Sequence, residues 1–229
     1  MFASIILSDV AFRILSFAIS IILFYITYLV LTKAFRFLGF SSIESIFIVI
    51  VSFLFTFPII VFGYDISNIA IFSYNDWMVG INTGGALIPI LISIYLIVKR
   101  NIPLLKTCVG ILIVTTVTFF VTKPVPDQGI VSSFPYWLLP GVLACVSSIV
   151  LLRKDFVKGA PLAYASGTIG VLIGADFLHL YELLSYKPTK LGTMATIGGA
   201  VLFDMIFITG VLSVIIYGIV MYKYKPEDK

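Results

Sequence analysis

Two acidic residues stand where acids are costly. Asp176 closes the segment Gly170-Val-Leu-Ile-Gly-Ala-Asp176, and Asp204 closes Ile197-Gly-Gly-Ala-Val-Leu-Phe-Asp204. Both lie inside apolar runs, where an ionisable group costs about 2.5–3.5 kcal/mol on insertion scales. A short aspartate cannot snorkel out of such a run, so each needs something polar to meet. Two close carboxylates support three kinds of behaviour. They can bind a cation through hard oxygen ligands or relay a proton through coupled titration. They can act as the base and acid of an aspartyl hydrolase on a shared water. Or they can fix helix register in a membrane scaffold.

His179, the only histidine, follows Asp176 at i+3, a spacing that shares a helical face. It could tune Asp176 as an acid–base group; equally, it could be a packed, hydrogen-bonded imidazole. Glu182 reads as interfacial. Each aspartate also has a structural reading: Asp176 as the cap of a helix break, Asp204 as a partner of Thr193, Thr196 or Thr209. Asn82, with Gly84 and Gly85, is expected to present backbone groups to the site, as non-helical backbone does where it lines a cavity. A metal, if one binds, would fall to Asp176 and Asp204, because a single histidine excludes a multi-histidine centre. No P-loop, HExxH, CxxC or GxSxG pattern occurs, and no organic cofactor is expected.

The elements holding these residues follow from composition. Of the residues, 60% are hydrophobic and 11% charged, with mean hydropathy +1.14. Soluble domains carry roughly 25% charged residues, so a bilayer must solvate most of this exterior. The 20 Phe and 12 Tyr suit interfacial belts. The net charge of +4 does not mark a nucleic-acid partner, because the cations fall in short clusters between apolar runs. Cys108 and Cys145 sit inside such runs and read as packing residues, not a disulfide framework.

Seven runs are near the ~20 residues that a bilayer needs: Ile14–Leu31, Ser45–Val61, Trp77–Val98, Leu104–Val121, Tyr136–Leu152, Ala160–Tyr181 and Thr193–Tyr222. The first is too long for a cleavable signal and reads as a span. The fold class is therefore an all-α polytopic bundle of about seven transmembrane helices, one integral membrane domain over residues 1–229. Eleven Lys and Arg (Lys33, Arg36, Lys99, Arg100, Lys106, Arg153, Lys154, Lys158, Lys223, Lys225, Lys229) fall on one side. Four (Arg13, Lys123, Lys187, Lys190) fall on the other. The positive-inside bias puts the N-terminus outside and the C-terminus inside. Asp204 then lies about 11 residues, roughly 16 Å, into the seventh span, near mid-bilayer and facing Asp176 from a neighbouring helix.

The outer connections carry little positive charge. Tyr64–Asp76 has none; its Asp65 and Asp76, like Asp127 beyond, read as solvated acids. Lys123–Pro135 carries three prolines and reads as a stiff connector or a lid. Spans three and seven both contain Gly-Gly-Ala, at Gly84-Gly85-Ala86 and Gly198-Gly199-Ala200. Interrupted segments in corresponding halves can mark a transporter site, but small residues also permit close helix packing, and packing is the simpler account.

Four ordered segments, Asn82–Pro89, Pro124–Ile130, Ala160–Asp176 and Ile197–Asp204, resemble the prokaryotic integral membrane family called domain of unknown function 1614. The likeness runs from the third span to the end. It implies a multi-span membrane protein and no particular activity. The aspartates also bear a faint similarity to presenilin-type intramembrane proteases, but Ile173-Gly-Ala-Asp176 lacks the Gly-x-Gly-Asp glycines, Phe203-Asp204 replaces Tyr-Asp, and Ala160-Pro161-Leu162 has the wrong order for Pro-Ala-Leu. The leading expectation is a small cation- or proton-coupled carrier of the cell membrane. An aspartyl hydrolase comes second and a non-catalytic scaffold third. Membrane lipid and a cation or proton are its expected partners; the oligomeric state is left open.

Overall fold

The computed structural model describes residues 2–126, 128–153, 155–190 and 192–221. The readings made at Asp127, Lys154, Tyr222, Lys223, Lys225 and Lys229 lie outside the described residues. Two compact units emerge, Met1–Val49 and Ile50–Lys229. The first holds helix α1 (Phe2–Phe37) and most of α2 (Ser42–Leu54). Helix α2 opens on a capping box. Glu44 donates its N–H to the Ser41 hydroxyl (3.2 Å), and its carboxylate accepts from the Ser41 N–H (2.7 Å).

The second unit continues with β1 (Ile60–Val61), β2 (Tyr64–Asp65), β3 (Asn68–Tyr74), β4 (Trp77–Asn82), α3 (Ile88–Lys99) and α4 (Leu104–Val121). There follow β5 (Thr122–Val125), β6 (Gly129–Ser132), α5 (Leu139–Leu152), α6 (Phe156–Val171), α7 (Leu178–Ser185), β7 (Thr193–Ile197) and α8 (Met205–Met221). Helix dominates. Three stretches, Phe12–Phe37, Leu104–Val121 and Val157–Ser185, are long and apolar enough to cross a membrane; four more apolar helices are shorter.

Helix α6 is the hub and packs against α3, α4, α5 and α8. Its small residues make this possible. A Cβ on Gly170 would stand 2.6 Å from Val114 on α4, and one on Gly167 3.2 Å from Thr209 on α8. The hydroxyl of Thr115 reaches across to the carbonyl of Gly170 (3.2 Å).

The all-α expectation needs correcting at three places, all in the second unit. Span two ends at Leu54, where the chain turns into β1. Trp77–Asn82, read as the start of span three, is strand β4. Thr193–Ile197, read as the start of span seven, is strand β7. The three-stranded sheet runs β3-β4-β7, antiparallel then parallel, with Trp77 opposite Thr193 and Ile81 opposite Ile197. Asn75 and Asp76 both take positive φ (47° and 66°) between Tyr74 and its partner Trp77, the two-residue turn that matches strand twist. Trp77, Val79 and Leu184 pack together, and the Trp77 indole donates to the carbonyl of Tyr186 (2.7 Å).

A carboxylate pair between two cavities

Asp176 sits in a π-helical turn, Leu172–Phe177, that joins α6 to α7. Such turns insert an extra residue into a helix. Gly174 lets this turn approach α4: a Cβ there would stand 2.5 Å from the Thr115 carbonyl oxygen and 2.8 Å from Thr118. With that side pressed on α4, the half-buried Asp176 opens onto cavity instead.

Asp204 is not 11 residues into a helix. After β7 the chain passes through Gly198-Gly199-Ala200 and a short 3-10 turn, and α8 begins only at Met205. Asp204 is its N-cap. One carboxyl oxygen accepts from the Ile206 N–H (3.0 Å), the other from the Ala200 N–H (3.3 Å), the usual service of a capping aspartate. Its carboxylate is thus held by backbone donors and not by the hydroxyls of Thr193, Thr196 or Thr209. The depth argument fails because strand β7, rising about 3.3 Å per residue, and the turn after it stand where the first eleven residues of the helix, Thr193 to Phe203, were expected.

The structure nevertheless brings the two acids together. Both line a cavity of about 400 Å³ bounded by Trp77, Gln128, Leu180 and the whole of β7. Both also line a neighbouring cavity of about 560 Å³ bounded by Thr122, Ser132, Trp137, Phe203 and Ile208. Ile130 and Ala200 belong to both walls as well. Lys123–Pro135 largely forms a hairpin, β5 against β6, and its inward face is part of both walls.

Asn82, Gly84 and Gly85 do not border either cavity. Asn82 is buried and hydrogen-bonded on both sides of its amide. Its oxygen accepts from the Gly85 N–H (2.8 Å), and its nitrogen donates to Asn68 (2.9 Å) and the Phe55 carbonyl (3.3 Å). It thereby caps the π-helical turn Thr83–Leu87. The two Gly-Gly-Ala segments pack against each other. A Cβ on Gly85 would collide with the Gly198 carbonyl oxygen and stand 2.8 Å from the Val201 Cα. One on Gly198 (φ 73°) would stand 2.6 Å from the backbone nitrogen of Ala86. Glycine serves close approach here, and the second segment passes that precision on to Ala200 and Asp204.

His179 is turned away from Asp176. Its ring stacks on Phe119 (centroids 4.6 Å, 10°), and Nε2 lies 3.1 Å from the Phe119 carbonyl oxygen. Nδ1 is 3.7 Å from Glu182. The i,i+3 argument assumed an unbroken α-helix, and the π-helical turn ending at Phe177 breaks that phase. Sequence reasoning missed Gln128, the only glutamine, and Trp77, Trp137, Thr122 and Ser132 as lining residues. The single glutamine beside a glycine in a proline-rich loop was the available signal. Among the described residues no group of three or more His, Cys, Asp or Glu gathers as a metal site.

Fold and site thus define a largely helical protein with membrane-length apolar helices and a carboxylate pair under a small β-structured cap. The chain belongs to the family described as Protein of unknown function (DUF1614), whose model matches residues 55–216. That match contains Asp176, Asp204, both Gly-Gly-Ala segments and the hairpin. No curated protein and no solved structure matches the chain.

Proposed function

We propose that the protein is an intramembrane aspartyl hydrolase acting on an extended peptide segment. One observation carries this reading: β7, the edge strand of its sheet, lines the same cavity as both aspartates from Thr193 to Ile197. An unpaired strand edge offers alternating N–H and C=O groups to a further strand, and a peptide added there lies beside the carboxylates. The ionised acid takes a proton from a water whose oxygen adds to the scissile carbonyl carbon. The protonated acid gives its proton to that carbonyl oxygen. Collapse of the tetrahedral species breaks the C–N bond, and a proton passes to the leaving amine.

In this reading the seven apolar helices cross the cell membrane, N-terminus outside, and within the second unit the strands lie at the outer ends of α4, α7 and α8. Both cavities lie at that capped end, which suits hydrolysis better than passage to the other side. The carrier reading ranks second. It is favoured by the buried Ser166, Thr168, Thr209, Ser213 and Tyr217, which extend polarity along α6 and α8 away from the pair.

Two assays on one preparation separate the readings. Purified protein in proteoliposomes should cleave a tagged transmembrane peptide, and Asp176→Asn and Asp204→Asn should each slow cleavage at least about a hundredfold. Cleavage surviving both substitutions refutes the hydrolase. Absent cleavage, with proton or cation flux that collapses in both variants, transfers the site to the carrier.

A further inference from the structure

The β5–β6 hairpin has a second face. Residues alternate sides along a strand, and the register pairs Thr122 with Ser132 and Lys123 with Val131. Thr122 and Ser132 both line the larger carboxylate cavity. Lys123 and Val131 instead line a second groove of about 470 Å³, together with Phe120, Ser133, Tyr136 and Leu139; Thr122 borders both spaces, and Ser132 only the carboxylate cavity. Its composition is lopsided. One cation and three hydroxyl groups, those of Thr122, Ser133 and Tyr136, stand among apolar side chains, and no acid lines it. Lys123 is exposed, as are Phe120 (79%) and Tyr136 (56%). The groove opens where α4, a helix of membrane-crossing length and hydropathy, ends at Val121, the level at which amphipathic aromatics and lysines meet lipid headgroups.

We propose that this groove binds the phosphate of an anionic phospholipid, with the acyl chains against Phe120 and Leu139. The Lys123 ammonium pairs with the phosphate, and the hydroxyls of Ser133 and Tyr136 donate to its oxygens. The apolar share of the lining separates a lipid from free phosphate, which would leave Phe120 and Leu139 in water. The inference rests on the membrane placement of α4 and not on the hydrolase reading. Because the bound lipid would back the hairpin that walls the aspartates, it also points to lipid dependence of whatever that site does.

The test uses the full chain in detergent, measured by native mass spectrometry against phosphatidylglycerol, phosphatidylcholine and inorganic phosphate. Phosphatidylglycerol should be retained over phosphatidylcholine. Lys123→Gln should cut its retention about fivefold, the effect of about 1 kcal/mol per interfacial cation, while Lys123→Arg keeps it. Lys106→Gln, at the opposite end of α4, is the control and should change nothing. Equal retention of the two lipids, or equal loss in the two glutamine variants, overturns the proposal. So does competition by millimolar inorganic phosphate, which would mark a plain anion site. Lys123 is exposed, so its substitution leaves the fold intact, and an unchanged melting temperature confirms that the loss is local.

Discussion

Gly85→Ala should do more damage than any other single added methyl group at the site. The new Cβ meets backbone on nearly every side: the Gly198 carbonyl oxygen, the Val201 Cα at 2.8 Å and the Gly198 carbonyl carbon at 2.9 Å. None of these is the end of a flexible side chain, so the π-helical turn Thr83–Leu87 and the Gly198–Val201 segment must separate. Overpacking typically costs about 1–3 kcal/mol, and backbone obstruction puts this case near about 3 kcal/mol. For a chain of this size each kcal/mol lowers the melting temperature by about 2–4 °C, so a drop of about 6–12 °C is expected in a detergent thermal-shift assay. Gly63→Ala is the comparison. Gly63 has φ 85° with nothing within 4 Å of an added Cβ, so only backbone strain of about 1–2 kcal/mol applies. The displaced segment carries the Ala200 N–H that holds Asp204, so Gly85→Ala should also weaken peptide cleavage with both aspartates intact. A Gly85→Ala protein that melts within about 2 °C of wild type would refute the claim that the two Gly-Gly-Ala segments interlock.

Asp204 has two separable duties. Asn caps helices about as well as Asp, whereas Ala costs about 1 kcal/mol. Asp204→Asn keeps an acceptor for the Ile206 N–H but turns an amide toward the Ala200 N–H, so it should lower the melting temperature less than Asp204→Ala does, and both should abolish activity. Asp65 lies outside the apolar helices and supplies a pH signature. Slight desolvation pulls its carboxyl up, but the Ser67 N–H (2.8 Å) and the Asn68 amide (3.4 Å) outweigh it and hold the group below its ordinary value. A folded-state value below the unfolded one stabilises above the unfolded pKa of about 3.9, and the contribution fades as pH falls through the folded value. The melting temperature of Asp65→Asn relative to wild type should thus be lower at pH 6 than at pH 3; a pH-independent difference would contradict this.

The helical part of the fold could be read from hydropathy because long apolar runs leave few alternatives. Leu104–Val121 is a helix over the same residues that the sequence suggests. Trp77–Asn82 and Thr193–Ile197 could not be read that way. Short runs of five or six residues that mix Val, Ile, Met, Ala and Thr suit a strand as well as the first turns of a span. Their parallel pairing also joins positions more than a hundred residues apart. The aspartates were legible as a costly pair. Their setting was not, because a capping aspartate and a mid-helix aspartate look alike when apolar residues surround both. His179 illustrates the converse: its spacing left a tuning role and a packed role equally open, and after the irregular turn its ring stacks on Phe119.

That irregular turn has a consequence for the evolution of the chain. One surplus residue between Leu172 and Phe177 rotates everything after it by about 100° relative to an unbroken helix. Asp176 and His179 therefore report to different neighbours only while the surplus is kept. Deleting a single residue there would restore a regular helix and rephase α7, swinging His179 off Phe119 and moving Leu180 and Leu183 out of the cavity wall. At Leu172, Ile173 and Phe177 residue count constrains the protein more tightly than residue identity, so exchanges among large apolar types there should be tolerated far better than a gain or loss of one position, whereas Gly174 and Asp176 are also held by identity.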